Sequence, residues 1–338
     1  MLRIAVLALL LVAGFGGPAP LVAGESAGVY TAVFENDTLL GTDRHFTHGT
    51  RFSYYSGVVR DDWLNQIAEL LPYLSHSRQQ ESWRTNLALG QNIYTPEDIS
   101  VAELQSEERP YAGYLYLGLG LVRAEKDAAG RIQMVGNFEL QLGVVGRHAM
   151  GREVQTWWHD KVSGSREPMG WDHQLRNEPV INLYWDRQWR RPLSPRGAEG
   201  VESDLIPHAS LALGNADIHL GGGLTWRWGL GLGSDNGPPR IRPSLPGAGY
   251  FRKNPGWSGY LFVGVESRLV GRNIFLDGNT FRDSHRVDRK IVVLDAQYGL
   301  VATYDGIKVA ITSIIRSKEF DGQQWPDRFM ALSVSLQR

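Results

Sequence analysis

Along most of this chain, apolar residues fall on every second position. Leu115, Leu117, Leu119 and Leu121 alternate with Tyr114, Tyr116, Gly118 and Gly120. Ile218, Leu220, Leu224, Trp226, Trp228 and Leu230 share one parity, while His219, Thr225 and Arg227 take the other with Gly221 and Gly223. Met134, Phe138, Leu140, Leu142 and Val144 stand against Gln133, Asn137, Glu139 and Gln141. Leu261, Val263, Val265 and Leu269 stand against Tyr260, Glu266 and Arg268. A period of two sends successive side chains to opposite faces of a strand. The template finds about twelve such runs, beginning near Gly28, Phe46, Ser82, Pro110, Ile132, Glu178, Ile206, Asp217, Gly256, Lys290, Ile307 and Arg328.

Run length decides the setting. Ordinary strands average about 5–6 residues, whereas strands that cross a bilayer need about 9–11. Many of these runs reach the longer value. The pattern predicts an all-β fold, a twelve-stranded antiparallel transmembrane β-barrel with short loop helices. The apolar parity would face lipid and the polar parity the lumen, with every strand paired because hydrocarbon offers an open edge no partner. A soluble β-sandwich with a Trp-rich core is the alternative, and strand number and length favour the barrel. Trp185, Trp189, Trp226, Trp228, Trp257 and Trp325 lie in or near the ends of the runs, where interfacial rings prefer to sit.

The first residues add a destination. Arg3, the apolar run Ile4 to Gly14 and the small residues Val22, Ala23 and Gly24 read as a signal peptide over residues 1–24. That leaves 25–338 as an outer-membrane barrel domain. The apolar run is interrupted by Gly16-Gly17-Pro18 and is shorter than the roughly 20 residues of a spanning helix. There is no cysteine, hence neither disulfide nor lipoprotein anchor. A formal net charge of −1 argues against a dedicated nucleic-acid binder. No internal repeat or linker is visible, and the Pro/Gly-rich stretch Gly233 to Asn254 reads as a long barrel loop.

Two segments break the alternation. Asp61 to Leu71 carries Trp63, Leu64, Ile67, Leu70 and Leu71 at helical spacing, with Pro72 after it. Arg152 to Val162 places Val154, Trp157 and Trp158 at i, i+3 and i+4, and Gln155 and His159 one turn apart on a shared face. A loop helix here would lay its Trp stripe on the wall or on acyl chains and present His159 beside the strand ends.

Candidate chemistry gathers at two places. Asn36-Asp37 opens a polar string that runs through Asp43 to Thr47 and His48, at a hairpin mouth where a plain turn needs only Gly, Asn or Asp. His159 is the second. A lone loop histidine is more often surface polarity than a catalyst, and the 9 histidines show no HExxH spacing. The helical context with Gln155 raises His159 above the others.

These residues resemble the outer-membrane lipid A 3′-O-deacylase family (LpxR-type). The resemblance rests on Glu35-Asn36-Asp37, Thr42-Asp43, Phe46-Thr47-His48-Gly49, Gln91-Asn92-Ile93-Tyr94-Thr95-Pro96 and Arg109-Pro110-Tyr111-Ala112-Gly113. It continues through Glu153-Val154-Gln155, His159, Pro168-Met169-Gly170-Trp171-Asp172 and Gln174 to Pro179, in family order. It implies a twelve-stranded barrel that removes the 3′-linked acyloxyacyl group of lipid A by Ca2+-dependent ester hydrolysis. Its partners would be lipid A or lipopolysaccharide and outer-membrane lipids. His159 corresponds to the general base on water, Asp37 to a carboxylate that helps hold calcium, Asn36 and Thr47 to neighbouring active-site positions, and Gln155 to a helix residue facing them.

That chemistry suits the residue types. Calcium takes hard oxygen ligands and stabilises charge growing on an ester oxygen. A neutral imidazole can accept a proton from water near pH 7, and Asn36 is a candidate donor to the oxyanion. No GxSxG occurs, so water is the expected nucleophile. Arg109, Arg147 and Arg152 are candidate contacts for lipid A phosphates. The loop Pro96 to Glu108 is acidic instead, with Glu97, Asp98, Glu103, Glu107 and Glu108, and could hold divalent cations. Glu35 and Asp43 are candidate metal contacts or plain structural charges. A barrel phospholipase and a non-catalytic barrel remain the competing readings.

Overall fold

The alternating runs pair edge to edge and close on themselves. A computed structural model describes residues 27–37, 45–58, 80–128, 130–164, 166–194, 200–239, 250–253 and 256–338. The signal-peptide segment, Asp43 and the helix expected over Asp61 to Leu71 lie outside the described residues. Twelve long antiparallel strands form the wall: β1 (Val29–Asn36), β2 (His45–Tyr55), β3 (Gln80–Thr95), β4 (Ala112–Lys126), β5 (Ile132–Val145), β6 (Glu178–Trp189), β7 (Glu202–Gly214), β8 (Asp217–Leu230), β9 (Trp257–Asn273), β10 (Val292–Tyr304), β11 (Ile307–Arg316) and β12 (Asp327–Gln337). A two-residue strand, Arg191–Pro192, extends the edge facing β7. The ring closes where β1 pairs with β12, Val29 opposite Gln337, and where β6 pairs with β7, Asn182 opposite Gly214. Every expected strand is present. The largest displacement is at β7, which starts at Glu202 rather than near Ile206.

The two parities do face opposite ways. Leu117, Leu119, Leu220, Leu224, Trp226, Trp228, Leu261, Val263 and Val265 are exposed on the outer wall. Tyr114, Tyr116, Glu139, Arg227, Tyr260 and Arg268 are buried in the lumen. In lipid this arrangement is the stable one, because the outer surface loses nothing by facing hydrocarbon while each lumenal charge finds a partner inside. Trp257 stacks on Tyr304 at 4.7 Å near the end where the chain termini pair, and Trp226 and Trp228 are exposed close by. Trp325 is exposed at the opposite end, in the β11–β12 loop. Among the described residues no helix is long and apolar enough to cross a membrane.

The lumen is filled in layers. Midway, Arg51 forks onto both oxygens of Glu139 at 2.8 and 2.5 Å, and Asn86 and Gln141 also donate to that carboxylate. Near the termini the β8–β9 loop turns back inward. Its Asp235 accepts from Arg227 (2.7 Å), Lys308 (2.7 Å) and Tyr260 (2.6 Å), while Asp204 also holds Arg227. Tyr250 and Phe251 of the same loop pack with Val29, Tyr55, Val122 and Ile132, closing this end with an apolar seal. The long loop expected over Gly233 to Asn254 is present between β8 and β9, and its described parts form a plug. At the other end Arg268 and Arg316 share Asp295, and Arg109 reaches Glu319 at 3.3 Å.

Burial alone would raise the Asp235 carboxyl. The charges of Lys308 and Arg227 and the hydrogen bonds from Lys308 and Tyr260 outweigh it and hold the group at about 2. A carboxyl so depressed stabilises the fold fully above its unfolded value of about 3.9. That stabilisation is lost as pH falls through about 2. Asp235→Asn leaves Arg227 and Lys308 undercompensated, and one-sided removal of a buried pair costs about 3–5 kcal/mol. The expected outcome is a lower thermal midpoint for the variant in detergent micelles near neutral pH, with a flatter decline than the parent between pH 4 and pH 2. Circular dichroism melts across that range read both effects.

Candidate functional site

Asn36 ends β1, and its backbone pairs with His48 of β2. Alternation puts Asn36 on the face of Tyr30, Ala32 and Phe34, and His48 on the face of Phe52 and Tyr54. These rings meet across the two strands, Tyr30 with Tyr54 at 4.8 Å and Phe34 with Phe52 at 5.9 Å. Tyr54 is exposed, so this is the outer face of the wall. Glu35, on the other parity, turns to the lumen, where its carboxylate crowds the Gly49 position.

The β2–β3 ladder slips between Phe46 and His48, leaving Thr47 as a bulge. A bulge strands one residue's backbone groups and re-aims its side chain. Here the Asn36 amide takes over the lost pairing, donating from Nδ2 to the Thr47 carbonyl at 3.0 Å. The Thr47 and Thr95 hydroxyls meet at 2.8 Å. Asn36, Asp37, Thr47 and Thr95 are all buried. The four together offer carboxylate, amide and hydroxyl oxygens in one small region, a donor set of the hard type that calcium prefers.

The β5–β6 loop supplies the second half of the site. It forms α1 (Gly151–Trp158), which continues into a single π-turn, His159–Ser163, ended by Gly164 at φ 65°. The helix lies across the outer wall. Gly151 rests against Gly113 of β4, where a Cβ on Gly113 would come within 3.1 Å of the helix backbone. Further along, Val154 packs with Ile93 of β3, Tyr111 and Trp171. At the end, the Trp158 ring stands 5.2 Å from that of His48 on β2. Gln91 of β3 donates to the Ala149 carbonyl at 2.6 Å and pins the approach to the helix. The helix thus runs from β4 over β3 to β2 and carries His159 to the strand that bears Thr47.

The expected Trp stripe is split. Trp158 packs inward on His48, whereas Trp157 is 52% exposed. Gln155 and His159 are both buried, as their shared face requires. His159 Nδ1 lies 2.6 Å from the Arg166 carbonyl. A carbonyl can only accept, so Nδ1 carries the proton and the neutral ring keeps its lone pair on Nε2. Gln155, one turn earlier on the same face, is not the group that fixes this tautomer. The backbone of Arg166 does so, and Gln155 instead accepts from Trp171 Nε1 at 2.9 Å. Gln155 Nε2 is buried without a hydrogen-bond partner, a state that costs about 1–3 kcal/mol unless a ligand or water relieves it.

The three arginines separate. Arg147 is exposed at the approach to α1. Arg152 is exposed on α1 and pairs with Asp172 at 3.1 Å, a surface contact worth about 0–1 kcal/mol. Arg109 is on the other side of the wall, with 1% of its surface exposed, bonded to Glu319 and lying over the Tyr94 ring at 4.8 Å. Arg109 is therefore brought into the lumenal ion-pair layer and not to the outer-wall groups. The acidic loop divides as well. Asp98 caps Ser100 through its hydroxyl and amide, and these two bonds hold its carboxyl below the usual range. Glu97 and Glu108 turn toward His45.

His48, Thr95 and Trp171 join the site although sequence reasoning gave them no role. Each stood inside a quoted motif, but only the bulge and the helix crossing bring them together.

A family model described as outer membrane protein LpxR matches residues 4–338. Among solved structures, the chain is similar to LpxR from Salmonella typhimurium, with 19% identity, TM-score 0.70, and coverage of 91% of this chain and 99% of that one. It also aligns with the β domain of the Bordetella autotransporter BrkA at 9% identity and TM-score 0.43, covering 93% and 100% of the two chains. An outer membrane channel from Pseudomonas putida F1 aligns at 10% identity and TM-score 0.44, covering 96% and 100%. No curated protein matches the sequence. The match over nearly the whole sequence and the closed twelve-strand wall give one conclusion: the chain belongs to the LpxR family of outer membrane proteins.

Proposed function

We propose that this protein hydrolyses the 3′-linked acyloxyacyl ester of lipid A, with water as nucleophile and His159 as its general base. The observation that carries the reading is the placement of α1. It holds a buried imidazole, with Nδ1 committed to the Arg166 carbonyl, directly after Trp158, whose ring meets His48, the residue that follows Thr47 and pairs with Asn36. A substrate anchored in the leaflet by its acyl chains reaches this face by lateral diffusion and never enters the packed lumen. The site-bearing end is the one opposite the paired termini, and this reading requires it to face the lipopolysaccharide leaflet.

Each residue then has a task. His159 Nε2 takes the proton from water as the oxygen attacks the ester carbonyl, and returns it to the leaving alkoxide. Gln155 Nε2, the buried donor that lacks a partner, donates to the oxygen on which negative charge develops. On sequence alone Asn36 is the candidate for that role. Its amide is engaged with the Thr47 carbonyl, so Asn36 shapes the bulge and Gln155 is the better donor. Asp37, with Asn36 and Thr47 oxygens nearby, would hold calcium, which supplies Lewis-acid polarisation of the ester carbonyl when bound. Trp157, exposed on α1, lies against acyl chains. Arg147 and Arg152 lie at the exposed rim and suit phosphate contacts.

His159→Ala should cut turnover by about 10²–10⁴-fold, the usual worth of a general base, while heat-modifiable gel mobility shows an intact barrel. Lipid A mass spectra from cells expressing parent and variant decide it, and an undiminished loss of the 3′ chain in the variant removes His159 from the mechanism. Gln155→Glu retains the acceptor for Trp171 but replaces the free donor with a carboxylate. Its kcat should fall about 10²–10³-fold, as for loss of one oxyanion donor, with KM little altered, and parent-like kcat would refute the assignment. Chelation of calcium should stop deacylation by purified protein, and added Ca2+ should restore it. Chelator-insensitive turnover would eliminate the metal role, and glycerophospholipid cleavage at equal rate would replace lipid A as the substrate.

A further inference from the structure

A second cluster of metal-ligating groups lies near the bulge but separate from the groups assigned above. His45, Glu97 and Glu108 each offer one ligand atom, and the three atoms lie within 4.8 Å of one another. His45 is fully buried at the start of β2, while Glu97 and Glu108 are half-buried in the β3–β4 loop. His45 Nε2 is 3.2 Å from Glu108 Oε2. Ligands at about 2.0–2.2 Å from one ion stand roughly 3–4 Å apart, so the triad needs only small side-chain movement to close on a cation.

The other side of the imidazole carries the second observation. His45 Nδ1 is 2.5 Å from Asp327 Oδ1 of β12. A metal-binding histidine characteristically gives its remaining ring N–H to a carboxylate, which fixes the tautomer and aims the other nitrogen at the ion. Asp327 Oδ2 is buried with no hydrogen-bond partner. Three carboxylates thus surround one imidazole, and the nearby guanidinium of Arg109 is bonded to Glu319. Phe320 packs edge-on against His45 at 5.4 Å and shields that flank.

We infer that His45, Glu97 and Glu108 bind a divalent transition ion, with Asp327 orienting His45. One imidazole with two carboxylates is a mixed nitrogen and oxygen set, which suits Zn2+ or Mn2+ better than calcium. The ion ties the start of β2 to the β3–β4 loop, and through Asp327 to the start of β12. His45 lies two residues from Thr47 and Glu97 two from Thr95, so the ion would brace the two threonines whose hydroxyls meet at 2.8 Å. Its role is positional, holding the bulge in shape beside the proposed ester site.

The test uses tag-free full-length protein in detergent micelles, stripped with chelator and titrated with Zn2+ by calorimetry, with bound metal counted by mass spectrometry. The expected result is one zinc equivalent lost in both Glu97→Gln and Glu108→Gln, and kept in Asp37→Asn. Asp327→Asn should still bind but 10–100-fold more weakly, the usual effect of removing an orienting carboxylate. Zinc should raise the thermal midpoint of the parent and leave that of Glu108→Gln unchanged. No uptake by the parent, or uptake undiminished in both glutamine variants, overturns the site. Neither readout depends on deacylation, so failure here leaves the proposed hydrolysis standing, and the reverse holds too.

Discussion

Hydrocarbon offers no partner to a backbone N–H or carbonyl, and this one constraint organises the molecule. It forces β1 onto β12 and β6 onto β7, because an open edge in lipid would leave a row of unpaired groups, each costing several kcal/mol. Closure creates two surfaces with opposite demands. The outer wall can be leucine, valine and tryptophan because burial in lipid is free of polar cost. The inner wall must pair what it holds, and does so through Arg51 with Glu139, Arg227 with Asp204 and Asp235, and Arg268 and Arg316 with Asp295.

A lumen packed with such pairs is a poor conduit. The Asp235 cluster and the Tyr250–Phe251 seal block one end, and the Arg109, Arg316 and Glu319 layer crowds the other. Burial would raise the Glu319 carboxyl, but Arg316, Arg109 and Arg268 keep it below the usual range, so the layer remains ionised. Chemistry on a lipid-borne substrate is therefore better placed outside the ring, and the exposed surface of α1 stands there.

The outside placement also explains two departures from local rules. The slip at Thr47 breaks a ladder that would otherwise run unbroken, and the π-turn after Trp158 breaks the helix at His159. Both are costly in an ordinary strand or helix. Both fall at the contact between β2 and α1, where the Asn36 side chain donates to the stranded Thr47 carbonyl and the backbone carbonyl of Arg166 accepts from the His159 ring. Local irregularity that the surroundings hold in place is characteristic of functional positions.

Period-two alternation and run length were enough to derive twelve membrane strands and to assign each face, since a strand's two faces are written directly in residue parity. Helical spacing likewise puts Gln155 and His159 on one face. What the chain order could not convey was which side of the wall a loop returns to. Arg109 and Arg152 are both loop-borne basic residues in sequence. Packing sends one into the lumen against Glu319 and leaves the other outside beside Asp172. The partner that sets the His159 tautomer is a backbone carbonyl, which has no signature in residue type, and the His45 cluster joins residues as far apart as His45 and Asp327. Parity is a local property of a strand and survives in the sequence; the crossing of α1 over β4, β3 and β2 depends on contacts between distant segments, and only the folded ring could decide it.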